Sequence, residues 1–347
     1  DGNVMKTFRG MTWSHTRGAG PLWVASVAYQ DFHPDVSFEW DVRSFREFGE
    51  GSIDEVLRAY DFLLVDHPFI GYAAKQDLAL QAEDYLDDST IGGLAAGSIG
   101  RSWESYRWDD RQLAIPVDAA CQVSACREDL FGRQGLSLPE TIEEAVEFAE
   151  SNGRTAMPMK SMGLLCAFLT ICANLGSPAF RSETQVADFE VVETAVGWLR
   201  RLAKCCHPMS ASSYPADIFR KMTTAEEIWY VPITFGYSVY SLDGYAPSPV
   251  TFAPVPASVQ DGPRGGTIGG VGLAISRHCS NPKSAFDFAA WVGGATWQST
   301  LYAFAGGQPA HADAWSVDRL DTLYRGFFSR TRDSLQSGFL RPRYTNY

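Results

Sequence analysis

The run Met11-Thr12-Trp13-Ser14-His15-Thr16-Arg17-Gly18 carries an apolar, strand-like stretch onto a cluster of aromatic, imidazole and guanidinium groups. Phe62-Leu63-Leu64-Val65-Asp66-His67-Pro68 does the same with a carboxylate and a second imidazole. In an open α/β sheet a ligand sits just beyond the carboxyl ends of the strands. Two strand ends of this kind therefore read as two walls of one pocket for a polar small molecule. Outward from them, Met5–Trp13 and Val36–Val42 read as strands flanking an amphipathic helix over Pro21–Phe32. A short helix over Ile53–Arg58 leads into a strand over Tyr60–Asp66. Strand, helix, strand, helix, strand within one short segment predicts a parallel, doubly wound sheet.

The chain has 347 residues, more than one hydrophobic core usually fills, so two domains are expected. Apolar content of 45% and charged content of 20% are ordinary for a globular protein. The longest uncharged apolar run, Met162–Ala173, is too short to span a bilayer. Asp1-Gly2-Asn3 reads as a mature or trimmed start, which leaves a leader peptide open. A net charge of −12 without a Lys/Arg cluster argues against nucleic acid as a partner. Arg200-Arg201 reads as a solvated helix face. Seven cysteines include no Cys-x-x-Cys pair, which argues against structural zinc; buried free thiols are the default.

Further along, Leu113–Val117 is strand-like and Ala119–Arg127 continues without a helix signal, as a crossover would. Thr141 with Glu144 forms a capping box, followed by one buried stripe of Ile142, Ala145, Val146 and Ala149. Val192, Ala195, Val196 and Leu199 repeat that spacing in a longer helix, and Met162–Leu175 reads as a helix buried nearly all round. Asn281-Pro282 opens a helix with Ala285, Phe288, Ala289 and Val292 on one face.

Several chemistries are excluded or weakened by spacing. Gly266–Gly272 lacks the Lys-Ser/Thr of a phosphate loop and precedes a strand rather than opening a helix, so it reads as a closely approached passage between domains. His-Pro pairs occur at 33, 67 and 207; His33 and His207 read as helix-end groups, whereas His67 stands beside Asp66 at a strand end. Neither H-x-x-x-H nor H-E-x-x-H occurs, so no metal is expected. There is no Gly-x-Ser-x-Gly either. Cys121 and Cys126 alternate with neighbours as packed strand residues do, though either thiol is a nucleophile candidate if a base stands beside it. Tyr237 and Tyr240, in an aromatic and weakly polar run, suit a sugar, whose C–H faces stack on a ring while hydroxyls hydrogen-bond. Trp13, Trp108 and Trp229 are candidates of the same kind, Trp108 the weakest in its charged run.

The run Leu113-Ala114-Ile115-Pro116-Val117-Asp118, then Arg127-Glu128-Asp129-Leu130-Phe131, Gly135-Leu136 and Pro139-Glu140-Thr141, resembles the middle of the family 1 extracellular solute-binding proteins. Ile142 stands where that family usually has Trp. Gly269-Gly270-Val271-Gly272-Leu273-Ala274-Ile275-Ser276, Asn281-Pro282-Lys283-Ser284-Ala285 with Phe288, Gly306-Gly307-Gln308-Pro309 with Ala314-Trp315, and Arg341-Pro342-Arg343-Tyr344 continue the likeness in order. The resemblance covers most of the chain. It implies a type II periplasmic-binding-protein-like α/β fold, two lobes joined by crossover strands with a ligand cleft, closing as hinged bodies. Residues 1–117 and 270–316 would form the N-terminal lobe, 118–269 and 317–347 the C-terminal lobe.

By the same resemblance, ligand groups come from the loops at Trp13, His15 and Arg17, at Asp66, His67 and Phe69, at Asp118 and Gln122, at Tyr237 and Tyr240, and at Gly269, Gly270 and Gln308. Trp13 and one tyrosine would stack, Asp66 and Gln122 would accept from hydroxyls, and His15, Arg17 and His67 would donate. An Arg17 facing the cleft would favour a carboxylate or phosphate on the solute. An Arg17 paired with Asp66 would favour a neutral sugar or polyol. The function implied is capture of a monosaccharide, polyol or sugar acid outside the cytoplasm by a monomer. The solute would pass to the membrane permease of an ATP-driven importer, with no cofactor and no catalysis. Two rivals are a thiol enzyme on the same scaffold using Cys121 or Cys126, and a ferric-ion binder using Tyr237, Tyr240 and His15 or His67.

Overall fold

The first strand, β1 (Lys6–Trp13), buries Phe8, Gly10, Thr12 and Trp13, and it is the axis on which the first part of the molecule is built. In the computed structural model, which describes residues 5–160, 162–182 and 184–345, β1 pairs parallel with β2 (Val36–Arg43) in an unbroken register from Lys6↔Val36 to Trp13↔Arg43. It also pairs parallel with β3 (Phe62–Val65) through Gly10↔Phe62 and Met11↔Leu63. Strand Ile268–Ile275 adds antiparallel to β3, with Phe62↔Ile275 at one end and Val65↔Gly272 at the other. All four residues of β3 are buried, as a central strand requires. The Asp1-Gly2-Asn3 start lies outside the described residues.

The connecting helices follow the sequence with one shift. Helix α1 (Thr16–Phe32) starts at Thr16 rather than at Pro21, which sits inside it. His15 is its N-cap, and the His15 imidazole Nδ1 accepts from the Arg17 backbone N–H at 3.1 Å. The early start rests on glycine: a Cβ on Gly18 would lie 2.4 Å from the Trp13 ring, and one on Gly20 would lie 2.6 Å from the Ala305 carbonyl. Close packing over bare backbone there outweighs the poor helix propensity of Gly and Pro. Two short helices, α2 (Phe45–Glu50) and α3 (Asp54–Ala59), lead to β3.

The chain divides into two units. The first takes the described residues of Asp1–Ala119, Gly269–Leu320 and Arg343–Tyr347; the second takes Ala120–Ile268 and Asp321–Pro342. The long strand Ala114–Cys126, buried at every position, carries the chain out of the first unit, and Ile268–Ile275 carries it back. The first unit buries Phe8, Leu22, Phe62, Phe288 and Val292 in one cluster and Leu63, Ile70, Tyr106 and Leu113 in another. In the second unit, Val123 and Cys126 pair antiparallel with Thr234 and Tyr230 of strand Tyr230–Phe235, and Ser124 pairs with Ala253.

Helices of the second unit pack as their periodicity demands. Thr141 and Glu144 form the capping box of helix Ile142–Asn152, which buries Ile142, Ala145, Val146 and Ala149. Helix Phe189–Cys205 buries Ala195, Leu199 and Leu202. Helix Met162–Asn174 differs from the expectation of burial all round: Leu164 and Leu165 in its first turns are exposed, and burial begins at Cys166. No helix among the described residues is long and apolar enough to cross a membrane.

Candidate solute-binding residues

Parallel pairing brings the carboxyl ends of β1, β2 and β3 to one edge of the first unit's sheet, the edge at which α/β proteins hold ligands. Trp13, His15 and Arg17 follow β1, Arg43 ends β2, and Asp66, His67 and Phe69 follow β3. Arg17 rises from the first turn of α1 and is only 4% exposed. Its Nε donates to Asp118 Oδ2 at 2.8 Å and its Nη2 to Asp118 Oδ1 at 2.5 Å, a two-point fork. Asp118 is itself buried. Burial pushes its carboxyl above the ordinary aspartate range, and the Arg17 charge opposes that. Arg17 thus pairs with Asp118, neither of the two arrangements that the sequence suggests.

Two other sequence-selected residues hold the strand at Asp118. Gln308 donates from Nε2 to the Ala119 carbonyl at 2.9 Å and accepts the Ala119 N–H at 2.9 Å, clamping the strand one residue past Asp118. Gly270 adopts φ +97°, and a Cβ there would come within 2.3 Å of the Asp118 carbonyl. Gly270, next to Gly269 in the return strand, is a glycine because backbone approaches backbone at that point.

Trp13 departs from its expected role as a platform. It is 3% exposed, packs on Phe48 at a ring separation of 4.9 Å, and lies against Gly18. Its ring is enclosed by Phe48 and by the close approach of Gly18. His67 is also buried, with its Nδ1 at 3.6 Å from Asp66 Oδ1 and its ring edge-on to Tyr106 at 6.3 Å. Phe69 is buried in the second cluster of the same unit.

In the second unit Gln122 belongs to a buried neutral network. Thr170 Oγ1 lies 2.6 Å from Gln122 Oε1 and 2.7 Å from Thr267 Oγ1, and it accepts the Thr267 N–H at 2.9 Å. The Gln122 N–H donates to the Thr267 carbonyl at 2.9 Å. Gly266 lies so close that a Cβ would meet the Gln122 carbonyl at 2.0 Å, which accounts for part of the glycine run. Tyr237 and Tyr240 are buried around Phe219, with ring separations of 6.0 and 5.2 Å. Burial pushes the Tyr240 hydroxyl up to about 12. The thiols fare similarly: burial raises Cys121, and burial followed by nearby Glu128 raises Cys126 to about 12. A nucleophilic thiol needs the opposite shift. Among the described residues no cluster of three His, Cys, Asp or Glu side chains could hold a metal.

No family model matches the sequence, and curated proteins offer no match either. Solved structures do. A solute-binding protein of an ABC transporter from Thermotoga lettingae, bound to α-D-tagatose, superposes with a TM-score of 0.81 at 16% identity, covering 99% of this chain and 90% of that one. The chain has the fold of the ABC-transporter solute-binding proteins. The maltose-bound MalE3 of T. maritima gives a TM-score of 0.79 at 18% identity, over 98% of this chain and 90% of that one. A solute-binding protein of Agrobacterium radiobacter K84 in complex with ribitol gives 0.77 at 17% identity, over 100% and 90%. These three are binding proteins, and the α/β fold expected from the sequence is the one they share.

Sequence reasoning passed over one residue at this edge. Arg43 ends β2 as Trp13 ends β1, one residue beyond the Val42 end that the sequence suggests. The rule that selected residues after β1 and β3 applies equally to β2 and would have found it.

Proposed function

We propose that the protein is an extracytoplasmic solute-binding protein. It captures a small, polar, sugar-like solute and delivers it to the membrane permease of an ABC importer, acting as a monomer without catalysis. The observation that carries this reading is the full-length match to structures holding tagatose, ribitol and maltose, each over 98–100% of this chain. The chemistry of the strand ends supports it. A polyol needs fixed acceptors and donors, and the carboxyl edge of the first unit supplies Asp66, His15 and the Arg17–Asp118 pair.

A thermal-shift screen of the purified protein against sugars, polyols, sugar acids, amino acids and ferric iron tests the proposal. A solute present at 100 times its Kd adds roughly 2.7 kcal/mol to stability, a rise of several degrees. A rise with one or more sugars, polyols or sugar acids is expected. Silence across all of them, with a rise from iron or an amino acid, would overturn it.

A further inference from the structure

At the end of β2 the burial pattern is inverted. Val42 is 46% exposed, while Arg43, the next residue, is 8% exposed. Shifting the register by one residue would bury the valine and free the charge. The continuous pairing with β1, from Lys6↔Val36 to Trp13↔Arg43, holds the inverted arrangement in place. A local choice that opposes the hydropathy pattern at the ligand edge of a sheet is a mark of function rather than of folding.

The surroundings of Arg43 contain no ion-pair partner among the described residues. Its Nε and Nη2 are buried and find no hydrogen-bond acceptor among the described residues. Its guanidinium carbon lies 5.8 Å from the centre of the Phe48 ring, whose other neighbour is the Trp13 indole. Trp13 Nε1 is likewise buried with no acceptor among the described residues. Register pairing puts Trp13 and Arg43 side by side on one face of the sheet. The nearest opposite charge in the field of Arg43 is Glu47, and that carboxylate is engaged elsewhere. Its Oε2 accepts from the Ser44 N–H at 2.8 Å and the Ser44 hydroxyl at 2.6 Å. Burial lowers the guanidinium to about 10, so it remains charged at neutral pH.

A buried charge with no ion-pair partner within reach is costly, and a second unpaired donor beside it compounds the cost. Both donors want the same thing, an acceptor with several lone pairs, and the guanidinium fork matches a carboxylate. We propose that Arg43, with the Trp13 indole N–H, is the receptor for a carboxylate on the solute, so that the protein selects sugar acids over neutral sugars. The proposal rests on the solute-binding reading above and narrows its solute class. Arg17 cannot take this part because Asp118 already occupies its fork.

The test is titration calorimetry at neutral pH with D-galacturonate, D-glucuronate and D-gluconate against D-galactose, D-glucose and sorbitol. At least one acid should bind about 100-fold tighter than its neutral counterpart. Arg43→Met should reduce acid affinity by about 100-fold and reduce any neutral affinity far less, whereas Arg43→Lys should fall between. Arg46→Met, on the exposed face of α2, removes the same charge nearby and should change acid affinity by less than threefold. Unfolding curves of each variant check that the protein remains folded, and Arg43→Lys carries the test should Arg43→Met fail to fold. Neutral sugars binding as tightly as acids would overturn the inference while leaving solute capture intact. An acid affinity unmoved by Arg43→Met would do the same. Binding of no member of either panel overturns both readings.

Discussion

The two units line their polar positions with different chemistry. The carboxyl edge of the first unit's sheet concentrates charge: Arg17 forked onto Asp118, Arg43 buried beside Phe48, and Asp66 next to His67. The second unit is neutral where its sequence-selected residues lie, with Gln122 tied to Thr170 and Thr267, and Tyr237 and Tyr240 gathered on Phe219. Buried charge is expensive and buried neutral polarity less so, provided each atom is paired. The first unit therefore carries the features a fold would avoid unless something required them. The second carries a satisfied network that fixes the geometry of a few neutral groups.

That contrast gives its largest effect at the Arg17–Asp118 pair. Arg17→Met leaves the Asp118 carboxylate buried with its fork gone, and breaking a buried pair from one side costs roughly 3–5 kcal/mol. Urea unfolding should register a loss of that order. The double variant Arg17→Met/Asp118→Leu should recover most of it, because no charge is then left unpaired. Arg43→Met makes the comparison within the same unit. With no partner to abandon, it should be neutral or mildly stabilising. Equal losses for Arg17→Met and Arg43→Met would break the distinction between a paired and an unpaired arginine.

The neutral side should respond less. Thr170→Val keeps the shape and removes the hydroxyl that meets Gln122 Oε1 and the Thr267 N–H. Leaving those two buried groups without that partner costs roughly 1–3 kcal/mol. A loss in urea smaller than that of Arg17→Met, and larger than that of an exposed Thr→Val control such as Thr224, is the expected order. A Thr170→Val variant as stable as the parent would mean that the network adds nothing to the second unit.

Much of this architecture is legible in the residues, and the failures share a cause. The strands of the first unit and the stripe Ile142, Ala145, Val146, Ala149 follow directly from periodicity. The start of α1 does not, because Gly18 and Gly20 look like helix breakers until Trp13 and Ala305 are seen against them. Trp13 reads as a platform from its position at a strand end, yet its ring is buried against Phe48, a contact across a loop that the strand pattern does not show. Asp118 as the partner of Arg17 is equally hidden, since the two lie far apart in sequence. Arg43 is the instructive miss: hydropathy says that Val42 is inside and Arg43 outside, and only the register with β1 reverses them. Sequence pattern reports local preference, and it fails where long-range pairing or a ligand overrides that preference.

The smallest effect, and the sharpest, compares two capping boxes. Ser44 with Glu47 caps α2 in the first unit, and Thr141 with Glu144 caps helix Ile142–Asn152 in the second. Replacing either cap residue by Ala removes a side-chain acceptor for a helix N–H, worth about 1 kcal/mol. Ser44→Ala and Thr141→Ala should therefore lower stability alike. They should differ in binding. The Ser44 hydroxyl, then its backbone N–H and more weakly Arg43, hold the Glu47 carboxyl below the ordinary glutamate range. A carboxyl depressed in the folded state adds stability that is complete above its ordinary pKa and is lost as pH falls through the lowered one. Without the Ser44 hydroxyl that loss moves to higher pH, and Glu47, then held at this cap only by the Ser44 backbone N–H, turns more readily toward the adjacent Arg43. It then competes with the solute carboxylate. Ser44→Ala should weaken sugar-acid binding severalfold, whereas Thr141→Ala leaves it unchanged. The same titrations that test Arg43 read both variants. Equal effects of the two caps on acid affinity would show that Arg43 and Glu47 do not share the site.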